Sequence, residues 1–146
     1  MSIDLTGRRA LVTGAGHGIG SAIAERLASA GADVVVHYGT SGDGATDVAA
    51  RIVAMGRRAW TVQADVTDPV EVQSLLDAAV GYLGGLDILV TNAGHLVQRC
   101  PIEAMEVSLW HQIIDVNATS TFLTCRAAIP ALREGGGRII TMSSLA

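Results

Sequence analysis

The sequence predicts an α/β fold, a doubly wound parallel sheet with helices on both faces, and three observations carry that expectation. Short β-branched runs alternate with longer helical patterns along the chain. The first of these runs passes through a glycine-rich turn directly into a helical pattern. Hydrophobic residues make up 49% of the chain and aromatic residues only 3%, the Ala, Val, Ile and Leu usage of strands buried on both faces. A length of 146 residues points to one domain, residues 1–146, long enough to bury a sizeable core.

The elements follow in order. Apolar runs at 10–12, 34–36, 59–62, 88–90 and 139–141 read as five buried strands. Helical patterns lie between them at 19–30, 45–55, 68–83 and 109–132. In the third helix Val70, Val72, Leu75, Leu76, Ala79, Val80 and Leu83 are expected to form an apolar face, Asp68 is placed to cap the N-terminus, and Pro69 takes the first helical position. Residues 39–44, Gly-Thr-Ser-Gly-Asp-Gly, are expected to be a loop. Repeated right-handed βα units of this kind place ligands beyond the carboxyl ends of the strands.

Composition excludes several function classes. A formal net charge of -4 lacks the electrostatic footprint of a nucleic-acid binder, and no basic cluster suggests a membrane surface. Cys100 and Cys125 stand in unrelated contexts without metal-ligand spacing, so reduced thiols in a cytoplasmic protein, and no metal site, are expected. No apolar run reaches membrane-span length, and the start of the chain has no signal-peptide pattern.

The segment Thr13-Gly14-Ala15-Gly16-His17-Gly18-Ile19-Gly20 lies between the first strand and the first helix. Glycine has no Cβ and tolerates positive φ, so backbone N–H groups and the following helix N-terminus can approach a pyrophosphate closely. The G-x-G-x-x-G fingerprint does not fit, because Ile19 stands where its third glycine would fall. Polar or small residues follow the later strands as well: Ala64-Asp65-Val66-Thr67, Thr91-Asn92-Ala93-Gly94 and Met142-Ser143-Ser144. Each alone could be turn or cap chemistry, but together they gather on one edge of the sheet.

The spacing Thr-Gly-x-x-x-Gly-x-Gly resembles the glycine motif of the short-chain dehydrogenase/reductase family. Asp65-Val66, the run from Leu86 to Gly94, Asp115-Val116-Asn117 and the run from Gly137 to Ser144 resemble further motifs of that family, in the family's order. The subgroup it resembles includes 3-oxoacyl-carrier-protein reductases and glucose dehydrogenases. The resemblance implies a Rossmann-like fold and an NAD(P)(H)-dependent oxidoreductase that interconverts a ketone or aldehyde and an alcohol by hydride transfer. It implies that Gly14, Gly18 and Gly20 shape a pyrophosphate site, with Thr13, Gly16, His17 and Ile19 in the same cofactor-binding loop. By the same resemblance Asp65 meets the adenine amino group and Val66 meets adenine through its backbone. Asn92, Ala93 and Gly94 border the adenosine ribose and brace the sheet, although Thr91 replaces the family's more usual Asn. Asn117 matches the Asn that holds a water in the proton relay, and Ser144 the Ser that orients the substrate carbonyl. A homo-oligomer, dimer or tetramer, and a small-molecule carbonyl or alcohol substrate are also implied.

The family's Tyr-x-x-x-Lys motif follows the catalytic Ser by about a dozen residues, and no equivalent occurs in these 146 residues. Tyr38 and Tyr82 are the only tyrosines, and the sequence contains no Lys. The expectation is therefore the N-terminal part of a longer protein, lacking the family's C-terminal strands and helices and inactive by itself. The alternative is a catalytically inactive dinucleotide-binding module acting as a sensor or partner subunit. An acidic residue after the second strand would bond the ribose 2′-OH and repel a 2′-phosphate. That position is Tyr38, which is not acidic. With Thr40 and Ser41 as hydroxyl donors, and His17 in the glycine loop where NADP-preferring members of the family it resembles often carry Arg, NADP is favoured over NAD.

Overall fold

The computed structural model describes residues 3–144. Five strands, β1 (Arg9–Val12), β2 (Asp33–Tyr38), β3 (Ala59–Gln63), β4 (Ile88–Thr91) and β5 (Arg138–Thr141), form one parallel sheet in the order β3-β2-β1-β4-β5. The chain leaves β1 toward β2 on one side, returns after β3, and adds β4 on the other side. The strand order therefore reverses beside β1, which makes the carboxyl end of the β1/β4 pair the topological switch point.

Alternation along the strands sends side chains to two cores. Leu11, Val35 and Leu89 pack with Val72, Leu75, Leu76 and Ala79 of α3 (Pro69–Leu83) and with Leu123, Ala128 and Leu132 of α5 (Ser120–Gly135). Ala10, Val12, Val34, Val36 and Val90 pack with Ala24 and Ala28 of α1 (Gly18–Ser29) and with Ala45, Val48 and Ile52 of α2 (Gly42–Ala54). Each fully buried Val, Leu or Ile contributes roughly 1.5–3 kcal/mol of transfer free energy. α3 begins as its sequence prescribes: Asp68 Oδ1 accepts from Val70 N and Glu71 N, and Pro69 opens the helix.

Several expectations need correction. Of the five strands expected to be buried, β3 is only half-buried and β5 is exposed at all four residues, because no further strand or helix covers that edge among the described residues. Val70, expected on the apolar face of α3, is exposed in its first turn. Residues 39–44 are not wholly a loop, because α2 already starts at Gly42. Ala45 N donates to Ser41 O at 2.9 Å, and a Cβ on Gly44 would overlap the Gly16 carbonyl, so this glycine serves close packing of α2 on the first turn rather than looseness. The single helix expected over 109–132 is three pieces: α4 (Val107–Ile114), a π-helical turn (Asp115–Thr119) and α5. Side chains compete for the backbone at this point. Asn117 Nδ2 donates to Ile113 O and Ser120 Oγ donates to Val116 O, and the extra residue of the π turn follows. A short 3₁₀ turn at Ile102–Ala104, not foreseen, precedes α4.

At the amino ends of the strands, Arg9 forks onto Asp87: Nε donates to Oδ2 at 2.8 Å and a terminal nitrogen to Oδ1 at 3.1 Å, while the Arg9 backbone N–H also meets Oδ2. Asp33 is the first residue of β2, at this same end, and is paired with Arg58. It therefore stands at the opposite end of β2 from the glycine turn. Among the described residues no helix is long and apolar enough to cross a membrane.

Candidate functional site

The glycines of the first turn divide by what their missing side chains would meet. A Cβ on Gly14 would lie 2.9 Å from Ala93 Cα, one on Gly16 2.8 Å from Ser41 O, and one on Gly20 2.5 Å from Asn92 Nδ2. These three are needed for the turn to nest against the chain after β4 and against α2. Gly18 differs: at φ +59° its Cβ would meet nothing within 4 Å. Its missing side chain leaves space on the outside of the turn, in front of the α1 N-terminus.

That helix end is otherwise unfurnished. His17 occupies the cap position without a side-chain hydrogen bond to the helix, and the first turn holds no acidic residue. The first N–H groups of the helix thus offer a positive end to an anion. Ile19, 65% exposed, projects beside them. The turn thus combines open space with unpartnered N–H groups at a helix N-terminus, an arrangement able to admit an anionic group.

Thr13 and Asn92 lie deeper. Thr13 is buried, and its hydroxyl accepts from Asn92 N and Ala93 N, both at 3.0 Å. Asn92 Nδ2 returns to the carbonyls of Thr13 and Gly14, both at 3.1 Å. Both side chains are thus spent on fixing the β1 and β4 ends to each other, and what they offer a ligand is the shape they hold. A Cβ on Gly94, exposed at the next step, would sit 2.7 Å from Asn117 Oδ1, so the Asn117 side chain would have to shift to admit one.

On the far side of β2, Tyr38 ends the strand half-buried, packed beside α2, with its ring 3.3 Å from where a Gly42 Cβ would lie. Thr40 is exposed and Ser41 stands at the cap of α2. Beyond β3, Asp65 is exposed and its Oδ1 accepts from Thr67 Oγ1 at 2.7 Å and Thr67 N at 2.8 Å. Those two hydrogen bonds hold its carboxyl below the ordinary carboxylate range, so it is a fixed acceptor at neutral pH. Val66 is buried in the core, so only its backbone can face a ligand.

The two candidate catalytic residues stand on the β4/β5 side. Asn117 is carried by the π turn, and its Nδ2 donates to His95 O and Ile113 O, both at 2.9 Å. It thereby joins the helix layer to the segment after β4. Ser144 is exposed beyond the end of β5, where Met142 N is still held by Thr91 O at 3.1 Å. Sequence reasoning missed one residue of the site, His37. Its ring is 1% exposed; Nδ1 accepts from Gly14 N at 3.0 Å and Nε2 lies 3.0 Å from Ala64 O. A histidine directly after the Val34-Val35-Val36 run, on the same face of the strand as Val35 by alternation, was the available signal.

Known proteins resemble the chain in sequence and in fold. The chain is 40% identical over 145 residues to glucose 1-dehydrogenase 2 of Bacillus subtilis, covering 97% of this chain and 56% of that protein. It is 43% identical over 142 residues to versicolorin reductase of Emericella nidulans, covering 97% and 53%. The crystal structure of a short-chain dehydrogenase from Burkholderia cenocepacia in complex with NADP superposes with a TM-score of 0.90 at 43% identity, over 97% of this chain and 57% of that one. A dehydrogenase/reductase from Sinorhizobium meliloti gives a TM-score of 0.92 at 40% identity, over 98% and 56%. The chain thus spans little more than half the length of these relatives. Residues 8–146 match the family model for short chain dehydrogenases, and with the switch-point turn and its relatives this establishes that the chain belongs to the short-chain dehydrogenase family.

Proposed function

We propose that this chain is the dinucleotide-binding part of an NADP(H)-dependent oxidoreductase that interconverts a ketone or aldehyde and an alcohol. The observation that carries the proposal is the outward-facing gap at Gly18, set against an uncapped helix N-terminus at the switch point. The Burkholderia cenocepacia relative was crystallised with NADP, which supports a dinucleotide at this edge. When bound, the nicotinamide supplies or accepts the hydride. The chain's own residues bind and orient. The turn cradles the pyrophosphate through backbone N–H groups, Asp65 accepts from the adenine amino group, and the backbone at Val66 and the wall at Asn92, Ala93 and Gly94 border the adenosine. In the whole protein the Ser144 hydroxyl donates to the substrate oxygen, stabilising its developing negative charge, and the Asn117 side chain holds a water in the proton path. The same reading makes the substrate a small molecule and the protein a cytoplasmic homo-oligomer.

The choice of NADP rests on Tyr38, which ends β2 without a carboxylate. Tyr38→Asp is expected to shift the preference between NADPH and NADH toward NADH by about tenfold or more. A carboxylate about 4 Å from a 2′-phosphate is repelled by about 1–4 kcal/mol, depending on how much water lies between them. Fluorescence titration of both variants with both nucleotides measures the ratio. Equal or tighter NADH binding by the wild type overturns the NADP assignment, and absence of any nucleotide binding overturns the function. For the catalytic reading, Ser144→Ala in the whole protein is expected to lower kcat by about 10²–10³ with little change in cofactor Kd. Unchanged turnover removes Ser144 from the mechanism.

A further inference from the structure

Val35 and His37 share one face of β2 by strand alternation, yet Val35 enters the apolar core while the His37 ring is used by its nitrogens. The Gly14 backbone N–H points at Nδ1, and an N–H can only donate, so Nδ1 must carry a lone pair and no proton. The Ala64 carbonyl lies 3.0 Å from Nε2 and can only accept, so Nε2 carries the hydrogen. The two contacts together select one neutral tautomer. They also join the first glycine of the turn after β1 to the residue immediately before Asp65 after β3. Backbone bonds run alongside this bridge: Ala15 N donates to His37 O at 2.8 Å and Ala64 N to Tyr38 O at 3.2 Å.

We propose that His37 is a positioning residue of the dinucleotide site: as a neutral Nε2–H imidazole it clamps the glycine turn to the adenine-side turn, and cofactor affinity is lost when the ring takes a second proton. The proposal rests on the reading of this edge as a dinucleotide site. A proton on Nδ1 would set two donors face to face, and Gly14 at φ +62° must then move away, taking with it the turn that Gly18 and the α1 N-terminus share. Burial of the ring opposes the charged form and keeps it neutral below the ordinary imidazole range, against the pull of the Ala64 carbonyl and of the Asp65 carboxylate. The titratable group acting on the ring is Asp65 in the turn after β3, and Glu71 in the first turn of α3 reaches the Asp65 N–H.

The test is NADPH titration of the chain from pH 8 down to the lowest pH at which all three stay folded, for wild type, His37→Asn and His37→Leu, with ring protonation followed by NMR and with circular dichroism and Tm at every pH so that only folded protein is compared. Asn places its amide oxygen where Nδ1 stands and does not titrate; Leu removes the acceptor. The 2′-phosphate itself titrates near pH 6, so the quantity read is the difference between wild type and His37→Asn, which share that titration. Wild-type affinity is expected to fall by up to about tenfold per pH unit below the ring's pKa relative to His37→Asn, while His37→Leu binds weakly throughout. Parallel pH profiles for wild type and His37→Asn, or full affinity in His37→Leu, overturn the proposal. If no variant binds NADPH at any pH, the functional reading falls by itself. The clamp is then judged by ¹⁵N NMR of the free chain, where protonation at Nδ1 rather than Nε2 at neutral pH overturns it.

Discussion

Gly18→Val is expected to abolish NADPH binding while leaving a folded chain. At φ +59° a side chain costs about 1–2 kcal/mol in backbone strain, and this cost falls on the fold. Inside the chain the added Cβ meets nothing beyond its own turn, because no other heavy atom lies within 4 Å of its position. The side chain meets the ligand instead. Overpacking a close contact costs about 3 kcal/mol, which is roughly a hundredfold in Kd. Gly20→Val separates the two effects, since its Cβ would overlap the Gly14 carbonyl and crowd Asn92 Nδ2, so it should lose stability as well as binding. Titration with NADPH, paired with thermal denaturation, reads both. Wild-type affinity in Gly18→Val would show that the ligand does not sit on this turn.

Asp87→Ala is expected to be the most destabilising single change at the opposite end of the sheet. The Asp87 side chain is 8% exposed and serves the Arg9 side chain, the Arg9 N–H and the more distant Arg8. Removing it leaves a guanidinium, 29% exposed, with the Gly84 carbonyl in place of a carboxylate, so the loss should fall at the low end of the range for broken buried pairs, about 3 kcal/mol. For a chain of this size that is a fall in Tm of roughly 6–12 °C. The pH dependence has a definite sign. The Arg9 side-chain hydrogen bonds, followed by its backbone N–H and the charges of Arg9 and Arg8, hold the Asp87 carboxyl below its ordinary 3.8 against the cost of burial. A depressed folded-state pKa gives stability that is present above 3.8 and lost as pH falls through the folded value. Wild-type stability should therefore drop on acidification below pH 4 more steeply than that of Asp87→Asn. Identical acid profiles would show that the fork contributes nothing to stability.

The sheet was legible because its signals are local and repeated. Five β-branched runs at strand spacing and an α3 with Asp68, Pro69 and a spaced apolar face leave little choice of element type. The π turn was not legible, because it arises where Asn117 and Ser120 compete with the helix for backbone carbonyls, and their residue types alone do not say that they will win. The start of α2 at Gly42 was hidden for the opposite reason. Gly-Asp-Gly has turn composition, and only the approach of Gly44 to Gly16, from a distant part of the chain, gives those glycines a helical use. The candidate site divides in the same way. The glycine segment could be read as a segment, but the different duties of Gly14, Gly18 and Gly20 depend on neighbours contributed by β4. His37 escaped because a buried polar side chain in a Val-rich strand shows its partners only when three strands are laid side by side.

The placement of β1 between β2 and β4 has a kinetic consequence. Its pairing with β2 joins Arg9 to Asp33, close in sequence, whereas its pairing with β4 joins Ala10 to Ile88, across α1, α2 and α3. Closing the longer loop costs more chain entropy, so the β3-β2-β1 half can assemble before β4 arrives. The Thr13 and Asn92 hydrogen bonds exist only after that arrival. A nucleotide that needs the finished switch point therefore recognises the product of the slowest closure. In a refolding experiment its binding should appear after most of the helical signal has returned.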